Sequence, residues 1–230
     1  MKCEYKYAPE ELSEVIFASV VTASRVKAYA SGALSDSIIL WGPNGTGKST
    51  IARLLIKSIG GSYPSIESKS YDELARVDEL QFYLKQGVHT ARMTSSNKHF
   101  LLLEEFDSET KRMEKFWTAV DACGEGLMVI ITTNNPTAIH KSLRSRMTMV
   151  ELPALAPASV LPRAQYILKA EGVVLPDDQV LHYLATMAVP SDLRKYMRVL
   201  DQIIFLHSHN LALPPWQQRK PKKPTLSIVS

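Results

Sequence analysis

A glycine-rich stretch that begins at residue 42 has the residue types and the spacing of a phosphate-binding loop. Gly45 and Gly47 would let the backbone turn tightly enough to aim several N–H groups at a β-phosphate. The Lys48 ammonium would reach the β- and γ-phosphates, and the Ser49 hydroxyl would ligate Mg²⁺. The stretch fits the pattern G-x-x-x-x-G-K-[ST], and its residues form the predicted nucleotide-binding set: Gly42, Pro43, Asn44, Gly45, Thr46, Gly47, Lys48, Ser49 and Thr50.

The elements on either side of this loop decide between a nucleotide site and a chance glycine-rich turn. An apolar run at Ile38–Trp41 precedes the loop, and the apolar spacing of residues 51–56 suits a helix packed on a sheet. A helix that begins near Lys48 would add the positive end of its dipole to the site. Strand, loop and helix are the context that the motif requires, so the sequence predicts a nucleotide-binding protein.

Carboxylates at the end of a second apolar run are candidates for metal binding and catalysis. Residues 100–103 are all apolar and lead directly into Glu104 and Glu105, as in a buried parallel strand whose carboxyl end carries acids. One carboxylate there would hold Mg²⁺ through water, and the next would orient or deprotonate the attacking water. The alternative is a strand that simply leads into an acidic loop. The preceding phosphate-binding motif favours the catalytic interpretation.

A third apolar run, at residues 127–132, leads into a polar turn that contains Asn134. An amide at the end of a strand beside the loop strand would sense a γ-phosphate, although asparagine before Pro136 is also common for local reasons. Beyond Pro153, helical patterns follow at residues 159–171, 177–187 and 191–207. The predicted fold is an α/β P-loop domain with a parallel sheet at 1–152, a small all-α domain at 153–209 and a basic, proline-rich flexible tail at 210–230.

Charge and cysteine content narrow the class of protein. Residues 208–230 contain no acids, and their four cations equal the formal net charge of +4 of the 230-residue chain. Residues 1–207 therefore sum to zero, so a DNA-facing surface there would be a local patch. Two cysteines give neither a disulfide framework nor a short-spaced metal-ligand pair. No apolar run approaches the roughly 20 residues of a transmembrane helix, and the N-terminus lacks the apolar core of a signal peptide. We therefore expect a cytoplasmic protein with no membrane partner.

Five short motifs together resemble one family, the AAA+ ATPases of the clamp-loader group, such as the replication factor C small subunits and their phage counterparts. They resemble that group's lead-in, acidic box, sensor-1 turn, Ser-Arg-Cys motif and sensor-2 helix. In the same order they are Lys6-Tyr7-Ala8-Pro9, Glu104-Glu105-Phe106-Asp107, Thr133-Asn134-Asn135, Leu143-Arg144-Ser145-Arg146-Met147 and Asp192-Leu193-Arg194-Lys195. Ala8, Glu104 and Met147 depart from the usual arginine, aspartate and cysteine, and the longer Glu104 would displace Mg²⁺ slightly and slow turnover.

The resemblance implies a role for each candidate residue. ATP would lie between the α/β domain and a lid formed by the helical domain, with Mg²⁺ held by Ser49 and Glu104. The implied catalytic residues are Lys48 on the phosphates, Glu105 on the attacking water, Asn134 as sensor 1, Arg194 as sensor 2 and Arg146 as an arginine finger directed at a neighbouring subunit's ATP. Hydrolysis would then depend on assembly. For the two arginines, the alternative is a charge on a solvated helix surface.

The resemblance also implies partners: self-association or related AAA+ subunits, DNA, and a sliding clamp or a helicase. Four cations around a helix predicted at residues 71–86 lie where such loaders track a DNA backbone, although a charged solvent face explains them equally well: Lys69, Arg76, Lys85 and Arg92. Loaders of this group continue into a helical collar, whereas this sequence ends after the predicted lid. Three hypotheses follow: a clamp-loader-like oligomeric ATPase, a collar-less DNA-bound regulator or helicase loader, and a scaffold subunit that holds nucleotide without turnover.

Overall fold

A parallel β-sheet forms the centre of the molecule. The computed structural model describes residues 2–106, 113–188 and 192–216, so Asp107, Ser191 and the tail from residue 217 lie outside the described residues. Within the described residues the sheet has five strands: β1 (Ile38–Trp41), β2 (Ser65–Lys69), β3 (His99–Leu103), β4 (Leu127–Thr133) and β5 (Thr148–Glu151). Their order across the sheet is β2-β3-β4-β1-β5, and every neighbouring pair is parallel. This confirms the predicted parallel α/β architecture.

The register of the strands brings three of the predicted motifs to one edge of the sheet. Trp41 at the end of β1 is paired with Thr133 of β4, and Leu103 at the end of β3 is paired with Ile131 of β4. Because the carboxyl ends of parallel strands meet at the same edge, the glycine loop, the acids and the Asn134 turn all emerge there. The prediction that the Asn134 turn lies beside the loop strand is confirmed.

Helices cover both faces of this sheet. Side chains alternate along each strand, so Ile38 and Leu40 pack on one side and Ile39 packs on the other. Burial on both faces explains why the strands read as continuous apolar runs. The α-helices are α1 (Cys3–Lys6), α2 (Val20–Ala30), α3 (Lys48–Gly60), α4 (Tyr71–Ala75), α5 (Leu80–Ala91), α6 (Met113–Asp121), α7 (Lys141–Arg144), α8 (Pro157–Ala170), α9 (Asp177–Met187) and α10 (Leu193–Ser208). Short 3₁₀ turns lie at Leu12–Glu14, Gly124–Gly126 and Pro136–Ala138.

The last three helices have an apolar core of their own. α8, α9 and α10 pack around Ile167, Tyr183, Leu184 and Leu200, all of them buried. The N-terminal helix α1 joins this cluster through the buried Cys3, so it packs on the helical part rather than on the sheet. The predicted boundary between residues 152 and 153 stays a prediction. Among the described residues, none of the helices has both the length and the apolar character that crossing a bilayer requires.

The single helix predicted at residues 71–86 is two helices, α4 and α5. Ser70 begins α4 with a capping box, since its hydroxyl accepts from the N–H of Glu73 and the Glu73 carboxylate accepts from the N–H of Ser70. The helix then tightens and ends, because the N–H groups of Arg76 and Val77 bond the carbonyls three residues earlier. The apolar spacing continues across this break, which is why the pattern predicted one helix.

Candidate functional site

The glycine loop joins β1 to α3 as predicted and adopts a conformation that requires glycine. Gly45 and Gly47 have φ angles of 72° and 86°, in the left-handed region. A Cβ at Gly45 would overlap the Asp192 carboxylate, which belongs to the start of α10. The loop is therefore in direct contact with the helical part, and glycine at position 45 allows that approach.

Lys48 begins α3, and its ammonium lies inside the loop. Its Nζ donates to the carbonyl oxygens of Gly42 at 2.8 Å and Pro43 at 2.7 Å. The Thr46 hydroxyl also donates to the Pro43 carbonyl, at 3.0 Å. The side chain is thus held over the concave side of the loop, at the N-terminal end of a 13-residue helix. A helix start, the N–H groups of a glycine loop and a lysine together make an anion site.

A cavity of about 340 Å³ lies above this loop, which we call the central cavity. Nine of the predicted residues line it, although they come from separate parts of the chain: Asn44, Gly45, Gly47, Lys48, Ser49, Thr50, Glu105, Asn134 and Arg194. Its remaining walls include Glu4, Tyr7 and Met197. The volume is within the range of small-ligand sites. The roles proposed for these residues stay predictions, but the fold brings the residues to one place.

Glu105 follows β3 in a strained backbone conformation. Its φ is 51°, which is uncommon for a residue with a side chain and is often found at functional sites. Two hydrogen bonds to Thr132 on β4 hold this turn: the Glu105 N–H donates to the Thr132 hydroxyl at 3.2 Å, and the Phe106 N–H donates to the Thr132 carbonyl at 2.9 Å. The exposed carboxylate lines the central cavity.

The two asparagines after β4 have different surroundings. Asn135 has a local role, because its side-chain oxygen accepts from the Thr137 N–H at 3.1 Å and caps the following 3₁₀ turn. Asn134 lines the central cavity instead. The local explanation for asparagine before Pro136 therefore applies to Asn135, and Asn134 remains the predicted sensor.

Residues suited to Mg²⁺ lie in a neighbouring cavity of about 350 Å³, the side cavity. It is lined by Ser49, Glu104 and Glu105, together with residues 68–70 and Glu73. Hydroxyl and carboxylate oxygens are the ligands that Mg²⁺ prefers, and in nucleotide sites the phosphates complete the coordination. The described residues contain no cluster of three or more His, Cys, Asp or Glu with metal-site geometry, so a metal here would need phosphate oxygens as well. The donor set fits Mg²⁺ bound together with a nucleotide.

Arg146 lies outside the central cavity. Its Nε is 3.6 Å from a carboxylate oxygen of Asp121, and its guanidinium lies over the Trp117 ring at 5.7 Å from the centroid. The side chain is 45% exposed. Arg144, by contrast, donates through Nε to the carbonyl of Ile139 at 3.0 Å. Arg146 likewise donates to a backbone carbonyl, that of Ser142 at 3.3 Å, and both arginines are exposed, so the choice of Arg146 as the arginine finger stays a prediction.

Arg194 lies at the start of α10, where the helical part contacts the loop. The Leu193 N–H donates to the Gly45 carbonyl at 2.9 Å. Asp192 caps the helix by accepting from the Arg194 N–H at 3.0 Å, and the Arg194 Nε lies 3.6 Å from the same carboxylate. One cap residue therefore positions the arginine beside the phosphate-binding loop.

Sequence reasoning missed the residues that hold the N-terminal segment. The Glu171 carboxylate accepts from the Lys6 ammonium at 2.5 Å and from the Tyr7 hydroxyl at 2.6 Å. Donation by Lys6, and then by Tyr7, lowers the pKa of Glu171 below its ordinary value. Arg163 adds a bond to the Tyr7 carbonyl at 3.1 Å. The motif at residues 6–9 pointed to this segment, but nothing local to Glu171 indicates its partners.

Comparison with known proteins gives relatives that are similar in sequence over most of this chain. The chain is 25% identical over 177 residues to the replication factor C small subunit 2 of Pyrobaculum islandicum, covering 75% of this chain and 55% of that protein. It is 27% identical over 206 residues to the replication factor C large subunit of Pyrococcus abyssi, covering 86% of this chain and 41% of that protein. The chain thus spans about half the length of these relatives.

Solved structures show the same fold at low sequence identity. The RuvB Holliday junction branch migration motor of Thermotoga maritima superposes with a TM-score of 0.67 at 16% identity, covering 89% of this chain and 67% of that one. The replication initiator DnaA bound to AMPPCP and single-stranded DNA gives 0.61 at 17% identity, covering 89% and 69%. Residues 38–153 match the ATPase family associated with various cellular activities (AAA). Because that match spans half of the 230 residues, the chain belongs to the AAA family of ATPases, whose members bind nucleotide.

Proposed function

We propose that this protein binds Mg²⁺·ATP in the central cavity and hydrolyses it while acting in DNA replication or remodelling, as a clamp-loader-like oligomer. The observation that carries the proposal is the convergence of Lys48, Ser49, Glu105, Asn134 and Arg194 on one cavity. Phosphate-binding, water-activating and phosphate-sensing groups are the parts that P-loop hydrolysis requires.

The chain's own residues account for the chemistry. Lys48 would exchange its two loop carbonyls for phosphate oxygens, and the N–H groups of the loop would bind the β-phosphate. Mg²⁺ held by Ser49 and Glu104 would offset the phosphate charge. Glu105 would take the proton of the attacking water, and its strained turn fixes the carboxylate at the cavity edge.

Two further side chains would orient the γ-phosphate. Asn134 would donate its amide to a γ-phosphate oxygen from the end of β4. Arg194, on α10 of the helical part, would bind the same phosphate, so that the position of α10 depends on whether a γ-phosphate is present. Both are aimed at the same cavity from different elements.

Arg146 would complete the site of a neighbouring subunit. Asp121 and the Trp117 ring hold its guanidinium on the surface, away from its own chain's cavity. An arginine finger supplied in trans accelerates hydrolysis by roughly 10³–10⁵-fold in related P-loop enzymes. The turnover of one subunit would then depend on contact with the next.

The action on DNA rests on the named relatives. Replication factor C, RuvB and DnaA proteins provide the analogy, although this chain matches only part of the length of each. DNA would meet the cations around α4 and α5, where Lys69 already pairs with Glu67 at 3.1 Å and lies over the Tyr83 ring. The protein partner would be a sliding clamp if the protein is a clamp loader, or a helicase if it is a helicase loader or regulator.

A second candidate function is a nucleotide-holding subunit with little turnover. The observation that favours it is the ion pair between Glu104 and Arg53, because this pair engages the carboxylate that Mg²⁺ would use. Turnover measurements separate the two functions.

The decisive experiment mixes two inactive variants. Arg146→Ala should bind ATP normally but lose about 10³-fold or more of the assembly-stimulated hydrolysis. Glu105→Gln subunits should also be inactive, yet mixing the two should restore some hydrolysis, because an intact Glu105 site then meets an intact Arg146. Arg144→Ala, which removes a positive charge two residues away at the end of α7, is the control. Turnover by Arg146→Ala at the wild-type rate would reject the trans finger, and no hydrolysis by wild type at any concentration would favour the holding function.

A further inference from the structure

An arginine outside the predicted site contacts the predicted metal carboxylate. The Arg53 Nη2 donates to the Glu104 Oε2 at 2.9 Å. Arg53 lies on α3, four residues after Ser49, so it is on the same side of that helix one turn later. The helix that offers the metal-binding hydroxyl therefore also offers a cation to the metal-binding carboxylate.

The ion pair lies beside the position that Mg²⁺ would take. Glu104 lines the side cavity together with Ser49 and Glu105. The guanidinium keeps its charge at every accessible pH, so it remains a competitor.

The exposure of the two side chains shows that the pair can be exchanged. The Arg53 side chain is 64% exposed and that of Glu104 is 25% exposed. Exposed ion pairs are weak because water competes for both partners. Mg²⁺ bound to nucleotide phosphates would therefore displace the arginine, at the expense of breaking the pair. Glu104 stands where the clamp-loader group usually has aspartate, and its extra methylene lets the carboxylate reach Arg53 on α3.

We propose that Arg53 competes with Mg²⁺ for Glu104 and so weakens the metal dependence of nucleotide binding. This inference rests on the proposed function and adds a regulatory residue to the same site. It makes Arg53 a positioning residue, since it acts through Glu104 and not on the nucleotide.

The test uses the full chain and a fluorescent, non-hydrolysable ATP analogue. Its Kd is measured in EDTA and in Mg²⁺, and the ratio of the two values reports how much the metal strengthens binding. Arg53→Gln should raise this ratio about two- to five-fold over wild type, the range expected from removing an exposed ion pair. Lys57→Gln is the matched control, because it removes one positive charge from the same helix, where the Lys57 ammonium donates to the Glu10 carbonyl at 3.2 Å. Its ratio should be that of wild type.

A double variant separates direct competition from a general charge effect. In a Glu104→Gln background, Arg53→Gln should leave the ratio unchanged, since its target is gone. An unchanged or lower ratio in the single Arg53→Gln variant would overturn the inference, as would an equal increase in the Glu104→Gln background. Wild-type protein that bound the analogue in neither condition would instead reject the proposed function, and this inference with it.

Discussion

The central cavity has two walls that are held in different ways. The sheet wall carries Lys48, Glu105 and Asn134, each in the segment that follows a strand whose middle residues are fully buried. The lid wall carries Arg194 and Tyr7, which belong to α10 and to the N-terminal segment that packs on it. The lid wall rests on the separate apolar core of the helical part, and polar contacts tie it to the loop and hold Tyr7. The Leu193 N–H donates to the loop carbonyl, Asp192 pairs with Arg194, and Lys6 and Tyr7 donate to Glu171.

This difference suggests that the sheet wall carries the reacting groups and that the lid wall adjusts nucleotide affinity. A buried apolar core packs at high density and resists displacement, so it fixes the atoms that must react. Exposed ion pairs and single hydrogen bonds are weak, so we expect the lid wall to shift relative to the loop at small cost while its own core stays intact. We therefore expect substitutions on the sheet wall to abolish steps of the reaction, and substitutions on the lid wall to change affinity by smaller factors.

The largest effect is expected for Glu105→Gln on the sheet wall. Glutamine keeps the size of the side chain but cannot accept a proton from water, so the hydrolysis rate should fall by about 10²–10⁴-fold. The Kd for ATP should stay unchanged, because the carboxylate faces water and not phosphate. Single-turnover hydrolysis and equilibrium binding measure the two quantities. Glu125→Gln, an exposed glutamate outside the cavity, is the control. A comparable loss of ATP affinity would contradict the role.

Lys48→Ala should weaken ATP binding by about 100-fold, since charged hydrogen bonds to phosphate are lost. Isothermal titration with the non-hydrolysable analogue measures the change. Lys57→Ala on the same helix should bind normally, which excludes a general effect of charge. If Lys48→Ala and Lys57→Ala bound equally well, the phosphate site would have to lie elsewhere in the molecule.

The two walls also differ in how well the sequence predicts them. The sheet wall was predictable because each of its side chains lies next to the strand that positions it. Short-range patterns indicate its residues: Gly45 and Gly47, the acids after residue 103 and the turn at Asn134. In a parallel sheet the segments that follow the strands emerge at the same edge, so these patterns also predict that the residues lie close together. The structure confirms this placement through the strand order and register.

The lid wall depends on contacts between distant residues, and single-sequence patterns do not encode them. Glu171, for example, is separated from Tyr7 by 164 positions. Beside the sheet wall, the pair of Glu104 with Arg53 was missed for the same reason, since 51 positions separate the two residues. The contact of Asp192 with Gly45 has no local signal either. The break between α4 and α5 was missed for another reason, because the apolar period continues through the residues that end α4.

On the lid wall, Arg194→Ala should weaken binding of the ATP analogue by about ten-fold, the effect of losing one charge-assisted hydrogen bond. Binding of ADP should change less, since the predicted partner is the γ-phosphate. Arg198→Ala, one turn later on α10 and outside the cavity, is the control. An equal loss for ATP and ADP would show that Arg194 does not distinguish the γ-phosphate.

The smallest effect is expected for Glu171→Gln, which keeps an acceptor oxygen for Tyr7 but removes the charge that pairs with Lys6. Because this exposed contact is weak, ATP affinity should fall only about two- to three-fold. Tyr7→Phe should act in the same direction, and the double variant should lose less than the sum of the two, since both residues share one contact. Additive losses would mean that Tyr7 and Glu171 act on the nucleotide independently.

The pH dependence of this variant gives a second measurement. The bonds from Lys6 and Tyr7 lower the pKa of Glu171 in the folded protein. A lowered carboxyl pKa stabilises the fold above the unfolded value of about 4.3, and this contribution is lost as the pH falls through the folded value. The difference in melting temperature between wild type and Glu171→Gln should therefore be constant from neutral pH down to about pH 5 and should disappear in stronger acid. A difference that vanished near neutral pH would show that another group controls the contact between the N-terminal segment and the lid.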